Sequence, residues 1–208
     1  MANKSFIKFN VNGKDVEVPF DERESLYDTL RNQLDLTSIK KGCEVGECGA
    51  CSVLINGRCV DTCIYLTRWA EGKNIVTVEG LKDEKGDLTD VQKQFIKEAA
   101  VQCGFCTPGF ILKAVEIVGE NKPYTRDEIK KLIAGNLCRC TGYMNIVTAI
   151  EHAIYNNMKK QGKDYKLADN YKVYLDQGED AKNKMTDELL SNQEARDAKV
   201  VKEIFANK

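Results

Sequence analysis

The chain has almost no net charge, a single histidine and no long apolar run. Its 31 Lys+Arg are balanced by 32 Asp+Glu, for a net −1 over 208 residues. That balance argues against a general polybasic binder of nucleic acid or membrane surface. No stretch approaches the ~20 apolar residues of a membrane helix. The start, Met1-Ala2-Asn3-Lys4, runs straight into strand-like Phe6-Ile7-Lys8-Phe9 without the apolar centre of a secretory signal, so a cytoplasmic location is expected. One histidine, His152, is too few for a Rieske centre, which needs two. It falls in a helical segment and is expected on the surface. No Gly-x-Gly-x-x-Gly opens a helix, so no nucleotide or flavin fingerprint is present.

Against these shortages stand nine cysteines. They are too sparse for a small disulfide scaffold, odd in number, and unaccompanied by an export signal. Clustered cysteines in that context are more often metal ligands or redox groups than disulfides. They occupy positions 43, 48, 51, 59, 63, 103, 106, 138 and 140, none before 43 or after 140.

The rest of the chain divides with them. Residues 1–81 read as strands with one helix. Ser5–Val11 and Asp15–Phe20 alternate in polarity around Asn12-Gly13, a hairpin signal, and Ser52–Ile55 meets a second one, Asn56-Gly57. Ser25 caps a helix bearing Leu26, Leu30 and Leu34. Asn74–Glu79 completes a sheet packed on one helix, a β-grasp-like pattern. Residues 82–87 form a linker. Residues 88–159 read as four short helices of a small bundle. Thr89 and Thr125 open capping boxes, and Pro108 starts a helix whose apolar stripe is Phe110, Ile111, Ala114, Ile117 and Val118. The last helix spans Asn145–Met158. The fold class expected is therefore α+β: a β-grasp domain, an all-α four-helix-bundle domain, and a charged extension over 160–208. That extension holds 10 basic and 10 acidic residues in 49 and no cysteine. It reads as a solvated tail or as a docking arm along a partner, with a possible helix at Leu189–Phe205.

The first cysteine group has the C-x4-C-x2-C…C spacing of a plant-type 2Fe–2S cluster: Cys43, Cys48, Cys51 and, after eleven intervening residues, Cys63. Each iron needs two thiolates, and the loop must bring backbone N–H groups close to sulfur. Gly42, Gly46 and Gly49 permit that approach. A zinc site fits the x4 spacing and three glycines poorly. Cys59 lies outside the spacing and reads as a small buried residue. The second group is Cys103-x2-Cys106 and Cys138-x-Cys140, separated by 31 residues and flanked by helices. A four-thiolate zinc site and a thioredoxin-like pair are the alternatives, and the latter lacks its βαβ setting.

Three motifs together carry a resemblance: Gly42-Cys43-Glu44-Val45-Gly46-Glu47-Cys48-Gly49-Ala50-Cys51, Val101-Gln102-Cys103-Gly104-Phe105-Cys106-Thr107-Pro108-Gly109, and Gly135-Asn136-Leu137-Cys138-Arg139-Cys140-Thr141-Gly142-Tyr143. Over about residues 4–158 the chain resembles the small iron–sulfur subunit of the xanthine oxidase family of molybdenum hydroxylases, most like those of bacterial three-subunit xanthine dehydrogenases. The resemblance implies a ferredoxin-like domain and a helical domain, each with one 2Fe–2S cluster, and an oxidoreductase subunit with no catalytic residue of its own. Cys43, Cys48, Cys51 and Cys63 are then the ligands of one cluster, and Cys103, Cys106, Cys138 and Cys140 those of the other. It further implies a large partner subunit holding molybdenum–pterin, an FAD-binding subunit, and a heterotrimer or its dimer. Electrons pass singly from molybdenum through the helical-domain cluster, then the other cluster, to FAD. Gln102 and Cys140 are the implied pterin contacts. Arg139 reads equally as a charge that raises the cluster potential and as a solvated one. Trp69 reads as a packing or interface anchor. A purine is the first expectation for the complex's substrate. An aldehyde, nicotinate, carbon monoxide or aryl-CoA hydroxylase, a free-standing two-cluster ferredoxin and a zinc-binding module are the alternatives.

Overall fold

The computed structural model describes residues 5–82 and 85–167. By internal contacts the chain separates into Met1–Lys166 and Leu167–Lys208, and the fold described lies in the first of these. The charged extension and its possible helix therefore fall almost wholly outside the described residues.

The sheet has five strands: β1 (Ser5–Val11), β2 (Lys14–Phe20), β3 (Ser52–Ile55), β4 (Arg58–Asp61) and β5 (Asn74–Val76). Their order is β2-β1-β5-β3-β4, with β1 and β5 parallel and the other neighbours antiparallel. Both two-residue turns have positive φ at each central position, Asn12 +51° and Gly13 +81°, Asn56 +49° and Gly57 +82°. That backbone matches the right-handed twist of the strands they join, which is why Asn-Gly predicts them. Ile7, Phe9 and Val11 point from β1 into a core completed by Leu26, Leu30, Val53 and Ile75.

Two expected elements are shorter than their patterns. The strand expected over Asn74–Glu79 stops at Val76. Thr77 donates its amide to Asn12 Oδ1 and accepts Asn12 Nδ2 at its hydroxyl, both at 2.9 Å. A side chain thus takes the bond that a neighbouring strand would make. The helix after Ser25 is a single turn, α1 (Leu26–Asp28), that widens into a π-type turn over Thr29–Gln33. Leu26 and Leu30 are fully buried, but the wider turn swings Leu34 to a half-buried place.

Four helices follow: α2 (Asp90–Lys97), α3 (Thr107–Gly119), α4 (Arg126–Leu132) and α5 (Met144–Lys160). Thr89 and Thr125 form the two capping boxes read from the sequence. Phe95, Phe110, Ala114, Ile117, Ile129, Ile146, Ile150 and Ala153 make a second core. Each large side chain buried there contributes about 1.5–3 kcal/mol. His152 is in this interior, not on the surface. It is 6% exposed, with Nδ1 3.1 Å from Glu98 Oε1. The reason is that α5 is covered on most of its circumference, so even its polar positions meet α2. Among the described residues no helix is long and apolar enough to cross a membrane.

All four residues of β3 are buried, which a half-exposed strand does not allow. Val53 and Ile55 join the first core, and α3 packs against the strand. Glu116 of α3 fastens this contact. Its buried carboxylate accepts the Cys59 amide at 3.2 Å, Arg58 Nε at 3.2 Å and Lys113 Nζ at 2.7 Å.

Candidate iron–sulfur centres

The segment between the π-type turn and β3 is loop, and it holds three of the first four thiols. Cys43 Sγ accepts the amides of Val45 (3.5 Å) and Glu47 (3.3 Å). Those two N–H groups bring the Cys43 thiol from 9.0 down to about 7. The loop can curl around sulfur because residue 42 has no side chain: a Cβ there would stand 2.9 Å from Cys48 Sγ. Cys51 immediately precedes β3 and is buried, which pushes its thiol up to about 12. Cys63 follows the β3–β4 hairpin. Its approach is fixed by Thr62, whose hydroxyl donates to the Cys51 carbonyl at 2.8 Å. The thiols come together as Cys43 with Cys48 and Cys51 with Cys63.

The second group forms between helices. Cys106 is the N-cap residue of α3, and burial pushes its thiol up to about 12. Cys103 lies three residues earlier, exposed, its thiol lowered by the Phe105 amide and then by Cys140. Cys138 and Cys140 sit in the loop between α4 and α5. Here too the thiols pair, Cys103 with Cys140 at 3.5 Å and Cys106 with Cys138. Burial acts to raise the Cys138 thiol, but the hydroxyl and amide of Thr141 outweigh it and hold the thiol below its ordinary range.

Four thiols in two pairs is the donor set a binuclear cluster requires, one pair for each iron. The amides aimed at Cys43 and the glycine that makes room beside Cys48 Sγ fit an anionic, sulfur-rich guest. Among the described residues, no three His, Cys, Asp or Glu side chains converge on a single-ion cage.

The two loops touch. Leu137 donates its amide to the Cys48 carbonyl at 2.9 Å, and Asn136 Nδ2 donates to the Gly49 carbonyl at 3.2 Å. Asn136 stands in one of the sequence motifs, yet nothing in the sequence assigns it a partner 87 positions away. Gln102, Arg139 and Cys140 are exposed at the rim of the second group. Cys59 is half-buried with its thiol raised by burial to about 11, in keeping with a packing role. Trp69 is 53% exposed, edge-on to Tyr65.

These sites define a protein with two iron–sulfur domains. Residues 9–75 match the model of a 2Fe-2S iron-sulfur cluster binding domain, and residues 77–151 match that of a second 2Fe-2S binding domain. The chain is 47% identical over 146 residues to the xanthine dehydrogenase iron-sulfur-binding subunit of Escherichia coli O157:H7, covering 69% of this chain and 91% of that one. It is 46% identical over 144 residues to the nicotine 6-hydroxylase small subunit of Paenarthrobacter nicotinovorans, covering 69% and 86%. A chain of the quinoline 2-oxidoreductase structure from Pseudomonas putida 86 superposes with a TM-score of 0.72 at 39% identity, covering 78% of this chain and all of that one. The chain belongs to the family of iron–sulfur subunits of the molybdenum hydroxylases. It is an electron-transfer subunit of an oxidoreductase complex.

Proposed function

We propose that this chain conducts electrons between a molybdenum–pterin subunit and an FAD-binding subunit, with residues 1–81 and 88–159 as its two cluster domains. Cys43, Cys48, Cys51 and Cys63 hold one 2Fe–2S cluster. Cys103, Cys106, Cys138 and Cys140 hold the other, within the four helices read as a bundle. When bound, the clusters supply one-electron transfer. The chain's own residues supply the rest. Backbone amides of Val45, Glu47 and Phe105 stabilise negative sulfur, and burial of Cys51 in one thiol set and of Cys138 in the other, beside half-buried Cys106, limits water at those sulfurs. Asn136 and Leu137 hold the two loops in register.

The observation that carries this reading is the pair of four-thiol sites joined through the Leu137–Cys48 hydrogen bond. Two such sites a few bonds apart serve a relay and have no evident use in a zinc-binding module. The exposed rim of Gln102, Cys103 and Cys140 is the face proposed for the molybdenum subunit, with Gln102 and Cys140 as its pterin contacts. The assembly is read as a cytoplasmic heterotrimer or its dimer. The substrate proposed is a purine, by similarity to the xanthine dehydrogenase subunit. The near-equal identity to the nicotine 6-hydroxylase subunit supports another N-heterocycle as a second reading.

The test is isolation of the chain from its own cell with whatever accompanies it. We expect a large molybdenum-containing subunit and a flavin-containing one, and anaerobic turnover of purine with an artificial acceptor. Turnover of other N-heterocycles but not purines by the molybdenum-loaded complex overturns the substrate. Recovery as a lone chain at low salt overturns the assembly.

A further inference from the structure

The loop that carries Cys138 and Cys140 ends in Thr141-Gly142-Tyr143, and its side chains turn back on Cys138. Thr141 Oγ1 lies 3.2 Å from Cys138 Sγ. The same oxygen accepts the backbone N–H of Tyr143 at 3.2 Å. Accepting there leaves the hydroxyl hydrogen free to be donated, and sulfur lies within its reach. A cysteine that coordinates iron is a thiolate and can only accept, so the bond runs from Thr141 O–H to Cys138 Sγ.

Tyr143 is held firmly enough to fix this geometry. Its φ of +66° is unusual for an aromatic residue, so the surrounding contacts must impose it. Its phenol oxygen accepts the Cys138 amide at 2.9 Å, and its ring stands edge-on to Phe110 with centroids 6.2 Å apart. Tyr143 thus locks both ends of the loop, taking the Cys138 amide at its phenol and orienting Thr141 with its own amide. Cys138 is 9% exposed, while Cys103 and Cys140 are exposed. A hydrogen bond to a buried thiolate acts in low dielectric and is worth more than one in water.

We propose that Thr141 is a potential-setting residue, its hydroxyl donating to the Cys138 thiolate and raising the reduction potential of the helical-domain cluster. Reduction adds negative charge to a cluster, and a donor at a ligand sulfur stabilises the charged form. The proposal rests on the reading that Cys138 is a ligand. It gives Thr141 a role distinct from the amides that serve the other thiols.

The experiment is EPR-monitored potentiometry of both clusters in the intact complex, comparing wild type with Thr141→Val and Thr141→Ser. Thr141→Val keeps the shape and removes the hydroxyl. The reduced-to-oxidised ratio of the helical-domain cluster at a fixed potential is expected to fall on the order of tenfold, about 59 mV for a one-electron couple. Thr141→Ser should stay near wild type, and the other cluster should not move in either variant. An unmoved potential in an iron-replete Thr141→Val complex overturns the proposal, as does an equal shift of both clusters. Should Thr141→Val lose the cluster, Thr141→Ala is read in its place. Loss of iron from both also counts against the proposal, because a hydroxyl that only sets a potential is dispensable for assembly. Failure of the underlying reading looks different: Cys138→Ser would then leave both cluster signals of the complex unaltered.

Discussion

The amide of Leu137 donates to the carbonyl of Cys48 at 2.9 Å, joining the residue before one candidate ligand to the backbone of another. One hydrogen bond and a few covalent bonds therefore separate Cys48 from Cys138. The neighbouring Asn136–Gly49 bond doubles the tie. The relation between the two thiol groups is set by these contacts.

Asn136 is 5% exposed and its amide is committed to Gly49. Asn136→Ala should cost about 1–2 kcal/mol, the loss of a buried hydrogen bond plus a small cavity. Thermal melting of the cluster-loaded chain should show it as a drop of roughly 2–8 °C. The magnetic interaction between the two reduced clusters should weaken alongside it. A melting temperature within one degree of wild type would show that the contact does not hold the loops.

Gly109 and Gly57 make a contrasting pair. A Cβ at position 109 would overlap the Gly49 carbonyl, a backbone atom with no room to yield. Gly109→Ala should therefore push α3 off the first loop and cost more than about 2 kcal/mol, with loss of iron from the first site. Gly57 has open space but φ +82°, so Gly57→Ala pays only backbone strain of about 1 kcal/mol and keeps its full iron. Iron content and urea midpoints of the two variants check this.

Much of this architecture is legible in the sequence, and the limit has a physical cause. Cysteine spacing is legible because thiolates on one iron must come from a short loop or from fixed strand ends. Turns at Asn12-Gly13 and Asn56-Gly57 are legible because few residues tolerate φ > 0. The burial of His152, the early stop of β5 at Val76 and the partners of Asn136 and Glu116 are not. Each depends on which surface docks against it from a distant part of the chain. Thr141 stands inside a recognised motif, but its role emerges only once Tyr143 is seen to turn it toward Cys138.

Glu116 is the buried acceptor for three donors. Glu116→Ala leaves the Cys59 amide without its partner beneath α3 and should destabilise by about 1–3 kcal/mol in urea. Glu116→Gln keeps an acceptor oxygen and should cost less. Equal costs for both variants would mean that the charge, not the acceptor, matters.

Thiol chemistry should follow the local environments in the metal-free chain. Cys43, brought to about 7 by the Val45 and Glu47 amides, is half thiolate near neutrality, so its alkylation rate should level off above pH 8. Cys59, raised by burial to about 11, should react far more slowly than Cys43, with a rate still climbing beyond pH 9. The sign for stability follows. Between pH 9 and 11 the unfolded chain has lost the Cys59 proton and the folded chain keeps it, so stability falls as pH rises through that window. Cys59→Ala should flatten that part of the decline. Mass-spectrometric alkylation and urea melts across pH read both effects.

The central claim is that eight of the nine cysteines hold two separate 2Fe–2S clusters. The most direct measurement is iron and acid-labile sulfide content with EPR of the anaerobically prepared, reduced wild-type chain. The account predicts about four iron and four sulfide per chain and two distinguishable 2Fe–2S signals, one lost in Cys48→Ser and the other in Cys138→Ser. A colourless protein with zinc in place of iron, or a single signal that either variant abolishes, would contradict it.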